Sequence, residues 1–155
     1  MRKLIFTFSV LFCVSLNAQT DTYARLKNLI RQTHPEIITD DKLIAYNIWS
    51  AGDAESREAN KSFDRAYRVY EYAKLKGGPR GIVVVAINKD NLSGMATIAY
   101  TRDGISKLIS VAAESIEGMD LQSNSNAIFD SSGNEIHKNL PAAQIFSSVN
   151  QLITR

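Results

Sequence analysis

Asp53 and Ser56 stand three residues apart in the stretch IWSAGDAESRE (residues 48–58), where an apolar strand end runs into the first turn of a helix. A carboxylate and a hydroxyl one helical turn apart could cap the helix, hold a ligand at its positive end, or take part in nucleophilic catalysis. Catalysis has the least support. The sequence contains no Gly-x-Ser-x-Gly elbow, and nothing in it pairs Ser50, Ser56 or Ser62 with a base. His34, next to Pro35, and His137 have no partners at metal-ligand spacing and read as ordinary surface histidines. Gly77-Gly78-Pro79-Arg80-Gly81 lacks the Gly-Lys-Ser/Thr ending of a phosphate cradle and reads as a helix stop. No metal or cofactor is expected. Capping is the plain reading, with Asp53 as N-cap and Glu55 in the positively polarised first turn.

The elements that must position these residues follow from hydrophobic periodicity. Asp21 to Thr33 places Tyr23, Leu26, Leu29 and Ile30 at helical spacing and stops before Pro35. Lys42 to Trp49 (KLIAYNIW) and Gly81 to Ile87 (GIVVVAI) are nearly continuous apolar runs, as strands covered on both faces require. Between them, Ala54 to Lys76 carries Phe63, Ala66, Tyr67 and Tyr70 on one stripe and predicts a long helix ending at Gly77. Of Tyr67, Tyr70 and Tyr72, at least two should face the sheet. A shorter helix runs through Leu92, Met95, Ala96 and Ala99, with Asn91 as a possible cap, and Lys107 to Val111 predicts a short strand. Asn126 to Asp130 and Glu135 to Lys138 flank Ser131-Ser132-Gly133-Asn134 and predict a hairpin. Pro141 opens a last helix with Ile145, Phe146, Val149, Leu152 and Ile153 on one face. A βαβ start gives parallel strands and a terminal hairpin adds antiparallel ones. The expected fold class is α/β in three layers, a mixed central sheet flanked by helices.

The chain's 155 residues suffice for one domain. Arg2 and Lys3 precede a 13-residue apolar run, Leu4 to Leu16, ending in Asn17-Ala18-Gln19. This predicts a signal peptide over 1–18 cleaved after Ala18, since the run is short of the roughly 20 apolar residues of a membrane span. An N-terminal helical extension (19–41) and the main domain (42–155) follow. Cys13 lies inside the run, and the Val-Leu-Phe before it does not suit lipid attachment. Removing Arg2 and Lys3 lowers the basic count from 18 to 16 against 16 acidic residues, so the exported chain is formally neutral. Its densest basic set is interleaved with Asp64 and Glu71, which argues against nucleic acid. The exported form has no cysteine and no membrane span, so packing alone must hold it together.

Tyr46-Asn47-Ile48-Trp49 resembles the V-N-F-W that ends the first core strand in periplasmic thioredoxin-like proteins of the cytochrome-maturation type, where the phrase continues W-C-x-x-C-R. On that pattern Gly52 falls on the second Trp, Asp53 and Ser56 on the two cysteines, and Arg57 on the Arg. Asn124 to Asp130 looks like the family's P-x-N-F-L-I-D, with Asn124 on its cis-proline, and Asp130 to Ile136 is similar to its D-x-x-G-x-I turn. The likeness spans roughly residues 42–152 and implies a thioredoxin-like fold.

Dithiol exchange needs a thiolate at a helix N-terminus and a second thiol to resolve the mixed disulfide. Neither a carboxylate nor a hydroxyl supplies that. A cis bond before Asn124 would cost a few kcal/mol, so a trans loop is expected there. The resemblance therefore implies an exported, periplasmic or secreted protein that has lost redox chemistry. It would bind a protein or peptide partner in the cell envelope through Trp49, Asp53, Ser56, Arg57 and Asn124, exposed side by side. Two other readings stay open: an oxidoreductase acting through a partner's thiols, and a structural accessory unit.

Overall fold

The computed structural model describes residues 21–76, 78, 80–90, 93–116, 118–119 and 125–153. Within them the chain forms helix α1 (residues 21–33), β1 (Leu43–Trp49), α2 (Ala54–Tyr70), β2 (Ile82–Asn88), α3 (Ser93–Asp103), β3 (Ile109–Ala112), a 3₁₀ turn (Ala113–Ile116), β4 (Asn126–Phe129), β5 (Glu135–Lys138) and α4 (Ala142–Gln151). The expected signal segment with Cys13, the expected helix cap Asn91 with Leu92, and Asn124 lie outside the described residues.

The five strands make one mixed sheet in the order β3-β2-β1-β4-β5. β1 runs parallel to β2, in register from Leu43 opposite Ile82 to Trp49 opposite Asn88, and β2 runs parallel to β3. β4 is antiparallel to both β1 and β5. All seven residues of β1 and all seven of β2 are buried, which is why these runs lack polar alternation.

Side-chain contacts assign the layers. Asn47 on β1 donates to Ser56 O and Asn60 Oδ1 of α2, while its neighbour Tyr46 stacks on Phe129, 6.2 Å between centroids, on the opposite face. Phe129 in turn meets Tyr23 of α1 at 5.9 Å. α1 therefore covers one face and α2 the other. α4 packs against α2 through Tyr70 and Phe146, 5.5 Å apart, and through Tyr70 OH donating to Asn150 Oδ1 at 2.9 Å. α3 joins the α2 side, where the Asp64 carboxylate of α2 accepts the N–H groups of Ser106 and Lys107 at 2.9 and 2.7 Å and pins the connection from α3 to β3.

The N-terminal helix is part of the core. Leu26 and Ile30 are fully buried, and the Tyr23 hydroxyl donates to Ser131 O in the hairpin turn at 3.0 Å. That turn leaves no room for a larger residue at Gly133, whose φ is +86° and where a Cβ would lie 2.8 Å from the Tyr23 ring.

One element is shorter than its sequence suggests. α2 stops at Tyr70, not Lys76, because tertiary contacts claim the next six residues. Lys42 Nζ donates to Glu71 O at 2.7 Å, Gly81 N donates to Ala73 O at 2.7 Å, and Lys74 and Leu75 bridge to Arg80 and Ile153. Turning the chain here buries Leu75, 1% exposed, beside the end of α4. Another turn of helix would forgo that burial. Tyr67 and Tyr70 are buried as expected, whereas Tyr72 is exposed. β3 begins at Ile109 and not at Lys107, whose N–H Asp64 holds in the preceding loop.

Candidate functional site

The turn after β1 satisfies its own polar groups. Asp53 sits in extended backbone (φ −98°, ψ 110°), and its Oδ1 accepts from Glu55 N at 2.9 Å and Ser56 N at 3.1 Å, the expected N-cap. Ser56 Oγ donates to Asp53 O at 3.2 Å and accepts from Ser50 N at 3.4 Å. Ala51 N donates to Asp90 Oδ2 at 2.7 Å, Gly52 N to Ser50 Oγ at 3.3 Å, and Asp53 N to Ser50 O at 3.1 Å. The Glu55 and Ser56 N–H groups, which could otherwise stabilise a thiolate or another anion at this helix end, are therefore occupied by the Asp53 carboxylate.

Arg57, one turn into α2, is held by Asp103 at the end of α3. Its Nε donates to Oδ2 at 2.7 Å and its Nη2 to Oδ1 at 2.5 Å, a bidentate pair with Asp103 only 6% exposed. These bonds from Arg57 are the main reason the Asp103 carboxyl titrates below the usual carboxylate range; burial opposes them, and the charges of Arg57, Lys61 and Arg102 add to them.

The five positions singled out in the sequence do not form one exposed face. Trp49 is 0% exposed and stacks on Tyr100 of α3, with centroids 4.8 Å apart and planes 16° from parallel. Ser56 is 3% exposed. Both were expected at the surface and both belong to the interior: Trp49 closes the end of the core between β1 and α3, and Ser56 turns inward beneath the Asp53 cap. Asp53 and Arg57 are half-buried and reach solvent, and Asn124 lies outside the described residues. The exposed part of this end is the turn Gly52 to Glu55 with Arg57.

Sequence reasoning passed over Asn88, Asp90, Tyr100 and Asp103, which surround Trp49 and the turn. Asn88-Lys89-Asp90 read as a simple connection, although a polar Asn closing an apolar strand was a usable signal. Beneath the turn, the buried amides of Asn47, Asn60 and Asn126 tie β1 to α2 and β4 to the approach to α4: Asn126 Nδ2 donates to Leu140 O at 3.0 Å and its Oδ1 accepts from Leu140 N at 2.9 Å. Among the described residues no group of three or more His, Cys, Asp or Glu could hold a metal ion.

No protein-family model matches the sequence, and no curated protein does. The fold, in contrast, is similar to those of solved thiol-disulfide oxidoreductases. The thioredoxin domain of one from Bacteroides vulgatus superposes with a TM-score of 0.60 at 12% identity, over 75% of this chain and 82% of that one. A thiol:disulfide interchange protein from a Bacteroides species gives 0.59 at 13% identity, over 74% of this chain and 75% of that one. A secreted disulfide oxidoreductase of Mycobacterium tuberculosis gives 0.54 at 10% identity, over 72% and 83%. The fold is therefore thioredoxin-like: a mixed five-stranded sheet flanked by helices. The sequence sets a single cysteine, Cys13, against that fold, with Asp53 and Ser56 at the positions that resemble a reactive pair.

Proposed function

We propose that this protein is an exported thioredoxin-like binding module that recognises a protein or peptide in the cell envelope and carries out no disulfide exchange of its own. The observation that carries this reading is the self-capped start of α2, where the Asp53 carboxylate occupies the Glu55 and Ser56 N–H groups. Exchange requires an attacking thiolate and a resolving thiol, and the whole sequence offers one cysteine, within the stretch read as a leader. Export is supported by that leader-like sequence and by the description of one structural neighbour as secreted. No helix among the described residues is long and apolar enough to cross a membrane.

The docking surface on this reading is the exposed turn Gly52 to Glu55 with Arg57, and not the wider face that includes Trp49. Two measurements test the proposal. In an insulin-reduction assay the purified protein should show no turnover above buffer; repeated turnover without a helper protein overturns it. In crosslinking capture from the native envelope, Glu55→Lys should lose the partner that the wild type retains, since Glu55 is exposed on this turn. Capture unchanged by Glu55→Lys would place the docking surface elsewhere.

A further inference from the structure

At the end of β1 opposite the Asp53 turn, where Lys42 leads into the strand, a cleft of about 650 Å³ opens between the loop after α1, the last turn of α2 and the start of β3. Its volume falls within the range of small-molecule sites, about 300–1,000 Å³, and its walls are mainly apolar, as in most such sites. Ile37, Leu108 and Ile109 form part of the apolar wall, and Ile38 and Tyr72, 74% and 81% exposed, stand at the mouth.

One nearly buried polar group opens into this space with no protein group to bind. Tyr67 is 3% exposed, and its hydroxyl has no hydrogen-bond partner among the described residues. The hydroxyl is not sealed off. It keeps accessible surface, and the groups that act on it electrostatically, Glu71, Tyr72 and Glu36, all line the cleft. Burial, with those neighbours adding to it, pushes the Tyr67 pKa up to about 12, so the phenol stays protonated and offers a donor. Native proteins leave few buried polar groups without a protein partner. Here only a water can meet the hydroxyl, and the acceptor of a ligand can replace that water without loss of bonding.

Charge limits the rest of the ligand. Lys42, Arg80 and Lys107 line the cleft together with Glu36, Asp41 and Glu71, so with His34 neutral its walls carry no net charge. Three of the six are already engaged: Lys107 Nζ pairs with Glu71 Oε2 at 2.8 Å, and Lys42 Nζ donates to Glu71 O and Arg80 O at 2.7 and 3.2 Å. The other three are exposed, where an ion pair is worth little. An ion entering the cleft would give up hydration without meeting an uncommitted counter-charge inside.

We propose that this cleft binds a small uncharged molecule that has an apolar body and carries one amide, ketone or alcohol oxygen. The body lies against Ile37, Leu108 and Ile109, between Ile38 and Tyr72, and the oxygen accepts a hydrogen bond from the Tyr67 hydroxyl. The site lies at the far end of β1 from the proposed docking turn and stands or falls independently of it.

Calorimetric titration of the purified protein with hydrocinnamamide and two charged relatives, hydrocinnamate and phenylpropylamine, tests the proposal, because the three share a ring and chain and differ at the polar end. The amide should saturate, and both ions should bind at least about tenfold more weakly. Tyr67→Phe deletes only the hydroxyl. It should weaken amide binding about fivefold while leaving the melting temperature unchanged, since the lost group has no partner within the protein. A tyrosine with a purely structural role would not give that combination. No saturable heat with the amide, a charged relative that binds as tightly, or an unchanged affinity in Tyr67→Phe would overturn the proposal.

Discussion

At the scale of single residues, the structure separates two positions that the sequence presents as a pair. Asp53 is a cap that reaches solvent, and Ser56 is an interior hydroxyl that closes the turn beneath it. Asp53→Ala removes the acceptor for two helix N–H groups and should lower stability by about 1 kcal/mol, read as a shift in urea midpoint without a change in slope. Asp53→Asn should recover most of that loss. The cap was legible in advance, because an Asp before an acidic, amphipathic helix has a local meaning. The burial of Trp49 was not, because its partner Tyr100 is 51 residues away on another helix. Asp103 makes a further prediction. Its folded pKa lies below the unfolded value of about 3.9, so the Arg57 pair contributes stability that is fully present above that pH and is lost as pH falls through the folded value. Asp103→Asn should lower stability at pH 7 by about 1–3 kcal/mol and have a much smaller effect near pH 2, as denaturation series at the two pH values would show.

At the scale of elements, strands β1 and β2 were legible because burial on both faces forces continuous apolar runs, and α4 because its apolar stripe repeats at helical spacing. The end of α2 was not, since nothing local to residues 71–76 opposes helix. Its stop depends on Lys42, Gly81 and Ile153, which arrive from other parts of the chain. Gly81 is the strictest of these. Its φ is +83°, and a Cβ there would overlap the Glu71 carbonyl. Gly81→Ala should therefore destabilise by about 2–5 kcal/mol, combining left-handed strain with overpacking, and thermal denaturation would register the loss as a large drop in Tm. If Gly81→Ala melts like the wild type, the chain does not cross back over the end of α2 as described.

At the scale of the whole molecule, α1 belongs to the same hydrophobic core as the sheet, with Tyr23, Leu26 and Ile30 buried against it. A chain beginning at Lys42 would lose three side chains worth about 1.5–3 kcal/mol each and expose Tyr46 and Phe129. It should lack a cooperative thermal transition, where the chain that includes α1 shows one by circular dichroism. The N-terminal helix, set apart from residue 42 onward by its sequence pattern, thus packs across the sheet and shares its core. By itself the sequence determined the order and type of the elements, the mixed sheet, the N-cap and the loss of a thiol pair, because these depend on side-chain period and atom type within short windows. Only the tertiary structure decided that Trp49 and Ser56 face inward, that Arg57 is fastened to Asp103, and that Ile38, Lys42, Tyr67 and Leu108 meet around one cleft. Those arrangements join residues from separate strands and helices, and their distances are set by how the layers pack and not by any spacing along the chain.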